Sequence, residues 1–335
     1  MKITTTSRSE LNVKLGLKEN WLQFTLLVIV NAFVGGMVGL ERSILPKLAA
    51  EEFAITGATA VLSLIVVFGF VKATSNYYAG RLAGTLGRKN TLILGWIFGL
   101  PIPFILMWTS SWNWVVFANI LLGINQGLAW SSTVVMKIDL VGEKQRGFAM
   151  GINEFAGYLS IAVVAYVTAS IADTYGVRPY PFYIGIGLAV LGFLVTVLFV
   201  RDTLNHLDTE ASNSSLKRLK NPFLQVSLTD RNLGAITQAG LINNLNDGMV
   251  WGILPILLIS RGYSMTEIGI IVGTYPAVWG IGQLITGKMA DHLNKKKMLS
   301  LGMAVQAIAL ILFLWADSFE VFVILTATLG VGTAI

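Results

Sequence analysis

The sequence alternates between long apolar runs and short charged loops. Residues 21–40 and 53–71 form apolar runs without a charged side chain, and residues 90–136 contain no charge for 47 positions. A helix needs about 20 apolar residues to cross a bilayer core of roughly 30 Å. The run over 90–136 is therefore long enough for two spans, and the polar, aromatic stretch at 109–114 divides it.

The same pattern predicts ten spans. Because lipid offers the backbone no hydrogen-bond partners, each run is interpreted as a helix, and the predicted fold class is all-α, a polytopic transmembrane helical bundle. The spans are predicted at 21–40, 53–71, both sides of 109–114, 147–171, 180–200, 234–259, 266–286 and 298–316, with a tenth beginning near 319. The first run is long and no small-residue cleavage pattern closes it, so we expect no cleavable signal peptide.

Composition favours a membrane protein and excludes several other classes. Of the 335 residues, 54% are hydrophobic and 13% are charged, whereas a soluble domain has a charged fraction of about 25%. A water-soluble enzyme, a disordered protein and a nucleic-acid-binding protein are therefore excluded. The chain has no cysteine, and its two histidines, His206 and His292, lie in charged stretches between apolar runs. We accordingly expect no disulfide, no metal site and no cofactor.

The distribution of lysine and arginine predicts the orientation. With the N-terminus placed in the cytoplasm, 19 of the 24 cations fall on the cytoplasmic side and three, Lys47, Arg178 and Arg261, fall outside. This asymmetry follows the positive-inside rule. It predicts a multi-pass protein of the inner membrane, and it places Lys137 with the cytoplasmic cations. The net charge of +6 then reflects contact with lipid and requires no polyanionic partner.

One long polar stretch divides the chain. We predict an N-terminal six-helix half over 1–200, a cytoplasmic linker over 201–233, and an incomplete C-terminal half over 234–335. Within the linker, apolar residues from Leu216 to Leu224 alternate with lysine and arginine. This segment is interpreted as an amphipathic piece on the inner leaflet or, equally, as a solvated basic linker.

The second half repeats features of the first. The segment GRLAGTLGRKNTLILG begins at Gly80, and GKMADHLNKKKMLSLG begins at Gly287; seven positions are identical without gaps. The tripeptide ILP ends at Pro46 and again at Pro255. The two offsets, 207 and 209, nearly agree, which indicates an internal duplication. Duplicated helical halves are the architecture of many secondary transporters.

The repeated loop carries a family resemblance. It resembles the signature loop of the major facilitator superfamily, in which glycine, alanine and aspartate precede glycine-arginine-lysine. The first copy has Gly84 in place of the aspartate, whereas the second copy keeps Asp291 but has Asn294 for the second glycine. The stretch GINQGLAW is also similar to the family's fourth-helix motif, with Gly123 where many members have arginine. The glycine-proline signature of the family's drug antiporters is absent from span five.

The resemblance implies twelve spans in two six-helix halves that rock around a central site. Because the last run, Val321–Ile335, has only 15 residues, we expect a fragment without the last two helices; a natural ten-span protein is the alternative.

The resemblance also implies that the repeated loop gates the inner face of the transporter. The alternative is that the loop only anchors the topology. The implied gating residues are Gly80, Gly87, Arg88, Lys89, Gly287 and Asp291. Gly80 and Gly87 are expected to allow tight turns and close helix approach, and Arg88 and Lys89 to lie among anionic headgroups.

Five ionisable residues fall within or at the edges of the spans: Glu41, Arg42, Lys72, Glu154 and Asp247. Each costs about 2.5–3.5 kcal/mol near mid-membrane on the insertion scale. Spans three and six contain no charge, and the charges and most amides lie on spans one, two, four, five, seven and eight. In the family these are the spans that line the cavity. The pattern therefore predicts a wet cleft between the halves.

The candidate substrate and proton-coupling residues lie on those spans. Asp247 lies midway along span seven, with Asn243 and Trp251 on the same face; a structural helix–helix hydrogen bond is the alternative. In span eight, three residues repeat at i, i+4 and i+8, which is also compatible with packing alone. The full set is Glu41, Arg42, Lys72, Asn76, Asn125, Gln126, Trp130, Glu154, Asn243, Asp247, Trp251, Tyr275, Trp279 and Gln283.

Two questions stay open at this level. Lys72 is interpreted either as a site for an anionic substrate or as an ion-pair partner of Glu154 or Asp247. Since adjacent helical residues point about 100° apart, we expect at most one of Glu41 and Arg42 to face the cleft squarely. Snorkelling of these two side chains to the outer surface is the alternative.

The predicted function is secondary active transport of a small solute by alternating access, coupled to protons through Asp247 or Glu154. The alternative is a receptor of the same fold that binds without translocating. An integral-membrane enzyme is disfavoured because the loops contain no clustered catalytic groups. Within transport, export of a hydrophobic or cationic compound competes with uptake or exchange of an organic anion. The predicted partners are the solute, protons and lipid, with no nucleic acid and a monomeric protein.

Overall fold

A computed structural model describes residues 14–55, 58–212 and 221–335, and the regular structure within these ranges is entirely helical. Ten long helices follow one another through the described ranges, so the predicted all-α helical bundle is confirmed. They are α1 (Trp21–Phe53), α2 (Ala58–Thr85), α3 (Arg88–Gly99 and Ile102–Trp108), α4 (Trp112–Asn125, Gln126–Trp130 and Ser131–Val141), α5 (Arg146–Tyr175), α6 (Tyr180–Leu198), α7 (Arg231–Gly248, Met249–Ile253 and Leu254–Ser260), α8 (Met265–His292), α9 (Lys295–Leu312) and α10 (Phe319–Ala334).

Length and apolar character identify the membrane helices. Among the described residues, seven helices are long and apolar enough to cross a membrane: α1, α3 and α5–α9. The last helix, α10, is apolar but shorter.

Two of these helices contain a π-helical turn. In α7 the turn spans Met249–Ile253 and lies directly before Pro255. Proline has no N–H to donate to the carbonyl four residues earlier, here that of Trp251, so the regular hydrogen-bond ladder is broken at this point. A π turn is one way to absorb such a break, and such turns are frequent at functional sites. The turn in α4 spans Gln126–Trp130.

Two clusters of buried apolar side chains form the core. One is built from α1–α6 and the other from α7–α10. We call the corresponding parts of the chain the N-terminal half and the C-terminal half. Tyr158 of α5 packs against both clusters. Tyr158 therefore links the two cores.

Glycines bring α1 and α5 into backbone contact. A Cβ atom added to Gly35 would collide with the carbonyl of Gly157, and one added to Gly39 would collide with the carbonyl of Ile161. Small residues at helix crossings allow close packing where lipid supplies no hydrophobic driving force. This crossing holds the N-terminal half together.

Two cations that we expected at the cytoplasmic surface are buried instead. Lys137 is 1% exposed, and its Nζ donates to the carbonyl oxygen of Leu27 at 3.2 Å. Arg88 is 8% exposed, and its Nε lies 3.2 Å from a carboxylate oxygen of Asp139. The prediction of headgroup contact for Arg88 is therefore wrong. The local sequence is charged, but neighbouring helices cover it and an internal carboxylate neutralises the arginine.

The start of the linker is attached to the N-terminal half. Asp202 accepts from the backbone N–H of Lys89 at 2.9 Å, and Thr203 donates to Asp139 at 2.7 Å. The His206 side chain bonds to Asn20 at 3.2 Å, and burial lowers the pKa of its imidazole. Most of the predicted amphipathic segment, which begins at Leu216, lies outside the described residues.

We predict that Gly35→Ala destabilises the protein while Gly69→Ala does not. The first substitution forces a methyl group into the α1–α5 crossing, and overpacking of this kind costs about 1–3 kcal/mol. Gly69 of α2 has no atom within 4 Å of an added Cβ, so it is a control for the same change of residue. Thermal unfolding in detergent should show a lower midpoint for Gly35→Ala only. Equal midpoints for the two variants would contradict the assigned crossing.

Candidate functional site

The structure brings the five predicted ionisable residues into one electrostatic cluster. Arg42 of α1 and Lys72 of α2 both interact with Asp247 of α7, across the junction of the two halves. Lys72 also interacts with Glu154 of α5, and Glu41 interacts with its neighbour Arg42. We call the space around these side chains the cleft.

Aromatic rings cover the two cations of the cleft. The Arg42 guanidinium lies 5.6 Å from the ring centroid of Phe68 and 5.3 Å from that of Trp251. The Lys72 ammonium lies 5.7 Å from Phe68 and 5.5 Å from Trp130. Such cation–π contacts are strongest where water is excluded. Both tryptophans belong to the π-helical turns of α4 and α7, so the irregular turns supply the rings.

Glu154 is held by two hydrogen bonds. Its Oε1 accepts from the indole Nε1 of Trp130 at 3.3 Å and from Nδ2 of Asn153 at 2.7 Å. Behind it, Asn31 donates to the carbonyl of Asn153 at 2.8 Å and accepts from Thr133 at 3.0 Å. This network joins α1, α4 and α5, and it fixes both the carboxylate and the ring that faces Lys72.

Glu41 and Arg42 both line a cavity of about 100 Å³ between α1, α2, α4 and Trp251. Arg42 reaches the rings of Phe68 and Trp251 because its side chain is long, so both residues contribute to the cavity wall whichever of them faces the cleft squarely. Glu41 is 3% exposed, and neither carboxyl oxygen has a hydrogen-bond partner among the described residues. Asn119 also lines this cavity, with its amide bonded to the carbonyl of Leu64 at 2.7 Å.

An aromatic contact also joins the two halves. Tyr158 of α5 and Trp279 of α8 have ring centroids 3.9 Å apart. Trp130 flanks Tyr158 at 5.9 Å, and Tyr275 flanks Trp279 at 5.7 Å. Tyr275 is fully buried, and its hydroxyl interacts with the Asp247 carboxyl. The four rings run from one half to the other.

Three of the predicted site residues form hydrogen bonds away from the cleft. Asn125 donates to the carbonyl of Gly95 at 2.9 Å, and Gln126 donates to that of Val34 at 2.8 Å; both are fully buried in the N-terminal half. Asn76 accepts from Ser131 at 2.7 Å on an exposed face. Asn125 and Gln126 therefore join helices of one half, and the structure does not bring these two amides to the cleft.

The C-terminal half shows a similar division. Gln283 of α8 donates to the carbonyl of Ala334 at 3.4 Å, toward α10, while Asn243 is half-buried on α7. Sequence reasoning missed Asn246, which is 2% exposed and donates to Gln306 at 2.6 Å. Asn246 lies one residue before Asp247 and therefore on a different face of α7 from the predicted site. Its partner, Gln306, belongs to α9, and the sequence does not show that α9 packs against this face of α7.

The first copy of the loop motif has a turn but lacks one expected contact. Gly87 has φ of 93°, a conformation that favours glycine, and it separates α2 from α3. Gly80 lies inside α2 with no atom within 4 Å of an added Cβ. The expected close approach at Gly80 is therefore wrong, because the helix continues through it. Lys89 donates from Nζ to the carbonyl of Val197 at 2.9 Å.

The second copy connects the two halves. Both carboxylate oxygens of Asp291 accept from the first turn of α5, from the N–H of Gly147 at 2.7 Å and from that of Phe148 at 2.9 Å. An anionic cap at a helix N-terminus is favourable because it satisfies free N–H groups and complements the helix dipole. Next to it, a Cβ on Gly287 would lie 2.9 Å from the Cα of Gly151. The halves thus touch at the end where α5 begins and α8 ends.

Comparison with known proteins agrees with this arrangement. The family model described as Major Facilitator Superfamily matches residues 25–235 and 236–335. The chain belongs to the major facilitator superfamily. It is therefore a multi-pass membrane transporter of small molecules and not an enzyme.

Among the curated proteins similar to this chain are several with the name multidrug resistance protein MdtG. The protein of Enterobacter lignolyticus is 25% identical over 307 residues, which cover 87% of this chain and 70% of the relative. Those of Salmonella arizonae and Citrobacter koseri are also 25% identical and cover 87% of this chain and 72% of the relative. The match therefore extends through both halves of the chain.

We predict that Asp291→Ala weakens the contact at the start of α5. Loss of an N-cap costs about 1 kcal/mol, which corresponds to a roughly fivefold change in an equilibrium constant. The chain has no cysteine, so a single cysteine at Phe155, beside Gly280 of α8, can report access between the halves. Its labelling rate should rise by about this factor in Asp291→Ala.

Asp230→Ala is the matched control for this experiment. Asp230 caps α7 through the N–H groups of Asn232 and Leu233, both at 2.9 Å, within one half. The control removes a similar cap without touching the junction of the halves. If it raised labelling at position 155 as much as Asp291→Ala, the cap would not act between the halves.

Proposed function

We propose that this transporter exports hydrophobic compounds and is driven by protons that enter through Asp247. In this proposal residues 1–200 and 234–335 are the two moving halves, and residues 201–233 connect them. The protein lies in the inner membrane with its N-terminus on the cytoplasmic side. The observation that carries the proposal is the position of Asp247: it is the carboxyl of the C-terminal half that faces Arg42 and Lys72 of the N-terminal half.

The charge on Asp247 governs the attraction between the halves. An ionised carboxylate attracts both cations, and this attraction is strong where the surroundings exclude water. A protonated carboxyl loses the attraction, so proton binding favours separation of the halves on that side. A ligand shifts a conformational equilibrium only through such a difference in affinity between states. Asp247 supplies that difference, and one of its oxygens has no hydrogen-bond partner among the described residues.

The walls of the cleft favour an apolar or aromatic substrate. Four rings, those of Trp130, Tyr158, Trp251 and Trp279, lie at the junction of the halves. The two cations that would attract an organic anion are already engaged with rings and with carboxyls. The relatives' name, multidrug resistance protein, points in the same direction. The alternative of organic-anion uptake predicts inward flux of an anion under the same gradient.

Reconstituted protein tests the coupling. We expect efflux of a lipophilic fluorescent compound from proteoliposomes to accelerate under an imposed pH gradient. Asp247→Asn should abolish this acceleration while leaving slow, gradient-independent exchange, since the amide has a similar shape but carries no titratable proton. Transport is measured as fluorescence loss with and without the gradient.

Asp317→Asn serves as the matched control in the same half. Asp317 is exposed near the start of α10, so its neutralisation should leave gradient-driven efflux intact. Full gradient dependence in Asp247→Asn would disprove its role in coupling. Uptake of an organic anion, with no effect on the lipophilic compound, would favour the alternative substrate class.

A further inference from the structure

A second pocket lies where α1 and α3 begin and α6 ends. Its volume is about 550 Å³, and it is lined by residues of these three helices and of the short segment that follows α6. Ligand pockets in proteins usually have volumes of roughly 300–1,000 Å³. The pocket shares no residue with the cleft, so its occupant need not be the transported compound.

The charged residues of this pocket leave an excess of positive charge. Lys89 donates from Nζ to the carbonyl of Val197 at 2.9 Å, and the guanidinium of Arg201 is exposed, with no hydrogen bond or ion pair to any residue that the structure describes. The third charged residue, Asp202, accepts from the backbone N–H groups of Lys89 and Leu204, both at 2.9 Å. Within the described ranges its carboxylate therefore forms no ion pair with either cation.

The remaining wall of the pocket is apolar and faces outward. Leu22 of α1, Leu198 at the end of α6 and Phe199 after it are each more than half exposed. Trp21, also exposed, begins α1 directly beside them. Tryptophan together with lysine and arginine is typical of the boundary between a membrane and water. A ligand that used the whole pocket would need both an anionic group and an apolar chain.

Gln23 fixes the backbone that carries Arg201. Its Nε2 donates to the carbonyl of Phe199 at 3.0 Å, and its Oε1 accepts from the N–H of Arg201 at 2.9 Å. These two bonds attach the segment after α6 to the first turn of α1. The pocket is therefore formed before a ligand arrives, which lowers the entropic cost of binding.

We propose that this pocket binds one anionic phospholipid of the inner leaflet. Its phosphate is bound by Arg201 and Lys89, and an acyl chain lies along Leu22, Leu198 and Phe199. The distribution of lysine and arginine predicts that this end of the helices is cytoplasmic, and basic pockets between helices on that side are suited to anionic headgroups. The proposal does not depend on the transported compound or on coupling through Asp247.

Native mass spectrometry of delipidated protein in detergent tests this site. The protein is titrated with phosphatidylglycerol and, separately, with phosphatidylcholine that has the same acyl chains. We expect one molecule of phosphatidylglycerol to bind in preference to phosphatidylcholine. Arg201→Gln should lower the affinity for phosphatidylglycerol about fivefold, the effect of removing one cation near an anionic headgroup. Arg201→Lys keeps the charge and should retain most of the affinity.

Arg231→Gln is the matched control. Arg231 is exposed at the start of α7, in the other half but on the same predicted side of the membrane, and it does not line the pocket. This control removes the same charge and should leave the affinity unchanged. Equal affinities of Arg201→Gln and the wild type would overturn the proposal. So would an equal loss in Arg231→Gln, because that result indicates diffuse attraction to a basic surface.

Glycerol phosphate distinguishes a lipid from a soluble phosphate. A ligand that binds only the folded protein raises the unfolding midpoint, so phosphatidylglycerol should raise the midpoint of the wild type and raise that of Arg201→Gln less. Glycerol phosphate at the same concentration should have little effect, because it lacks the acyl chains that contact the apolar wall. An equal rise with glycerol phosphate would overturn the assignment to a lipid. Neither measurement involves transport, so a failure here leaves the proposed export function to its own test.

Discussion

The high cost of charge inside a bilayer is the constraint on which the rest of this structure depends. Each ionisable group costs about 2.5–3.5 kcal/mol at the membrane centre on the insertion scale, so none of the cleft residues is tolerable without compensation. Here the compensation comes from rings over Arg42 and Lys72, and from the opposite charges of Asp247 and Glu154. Because Asp247 belongs to the other half, part of this compensation exists only while the halves are together.

The two halves meet through contacts of different chemistry. At one end, glycine backbones touch and Asp291 caps α5, a contact that requires close approach and exact hydrogen-bond geometry. Further along α5, the Tyr158 and Trp279 rings make a tilted contact. The halves are thus joined both by short-range contacts, which are either made or broken, and by an electrostatic attraction that decays gradually with distance.

Sequence reasoning located the cleft better than it located individual partners. The five ionisable residues were found because charges within apolar runs are rare and must be brought together. Asn125 and Gln126 were misjudged, since an amide inside a span can satisfy a neighbouring helix as well as a substrate. Arg88 was misjudged for a related reason: its compensating acid, Asp139, lies 51 positions away in the chain, and hydropathy carries no information about that pairing.

The sequence by itself determined the helical class, the approximate spans, the duplicated loop and the presence of charges that need a shared cleft. These properties follow from transfer free energy and periodicity, which depend on each residue and its close neighbours. Only the tertiary structure decided which charge faces which. It showed Lys137 buried with its Nζ on the carbonyl of Leu27, Trp251 over Arg42, and Asp291 on the first turn of α5. Electrostatic and hydrogen-bond energies depend on distances between helices far apart in the chain, and those distances are set when the bundle packs.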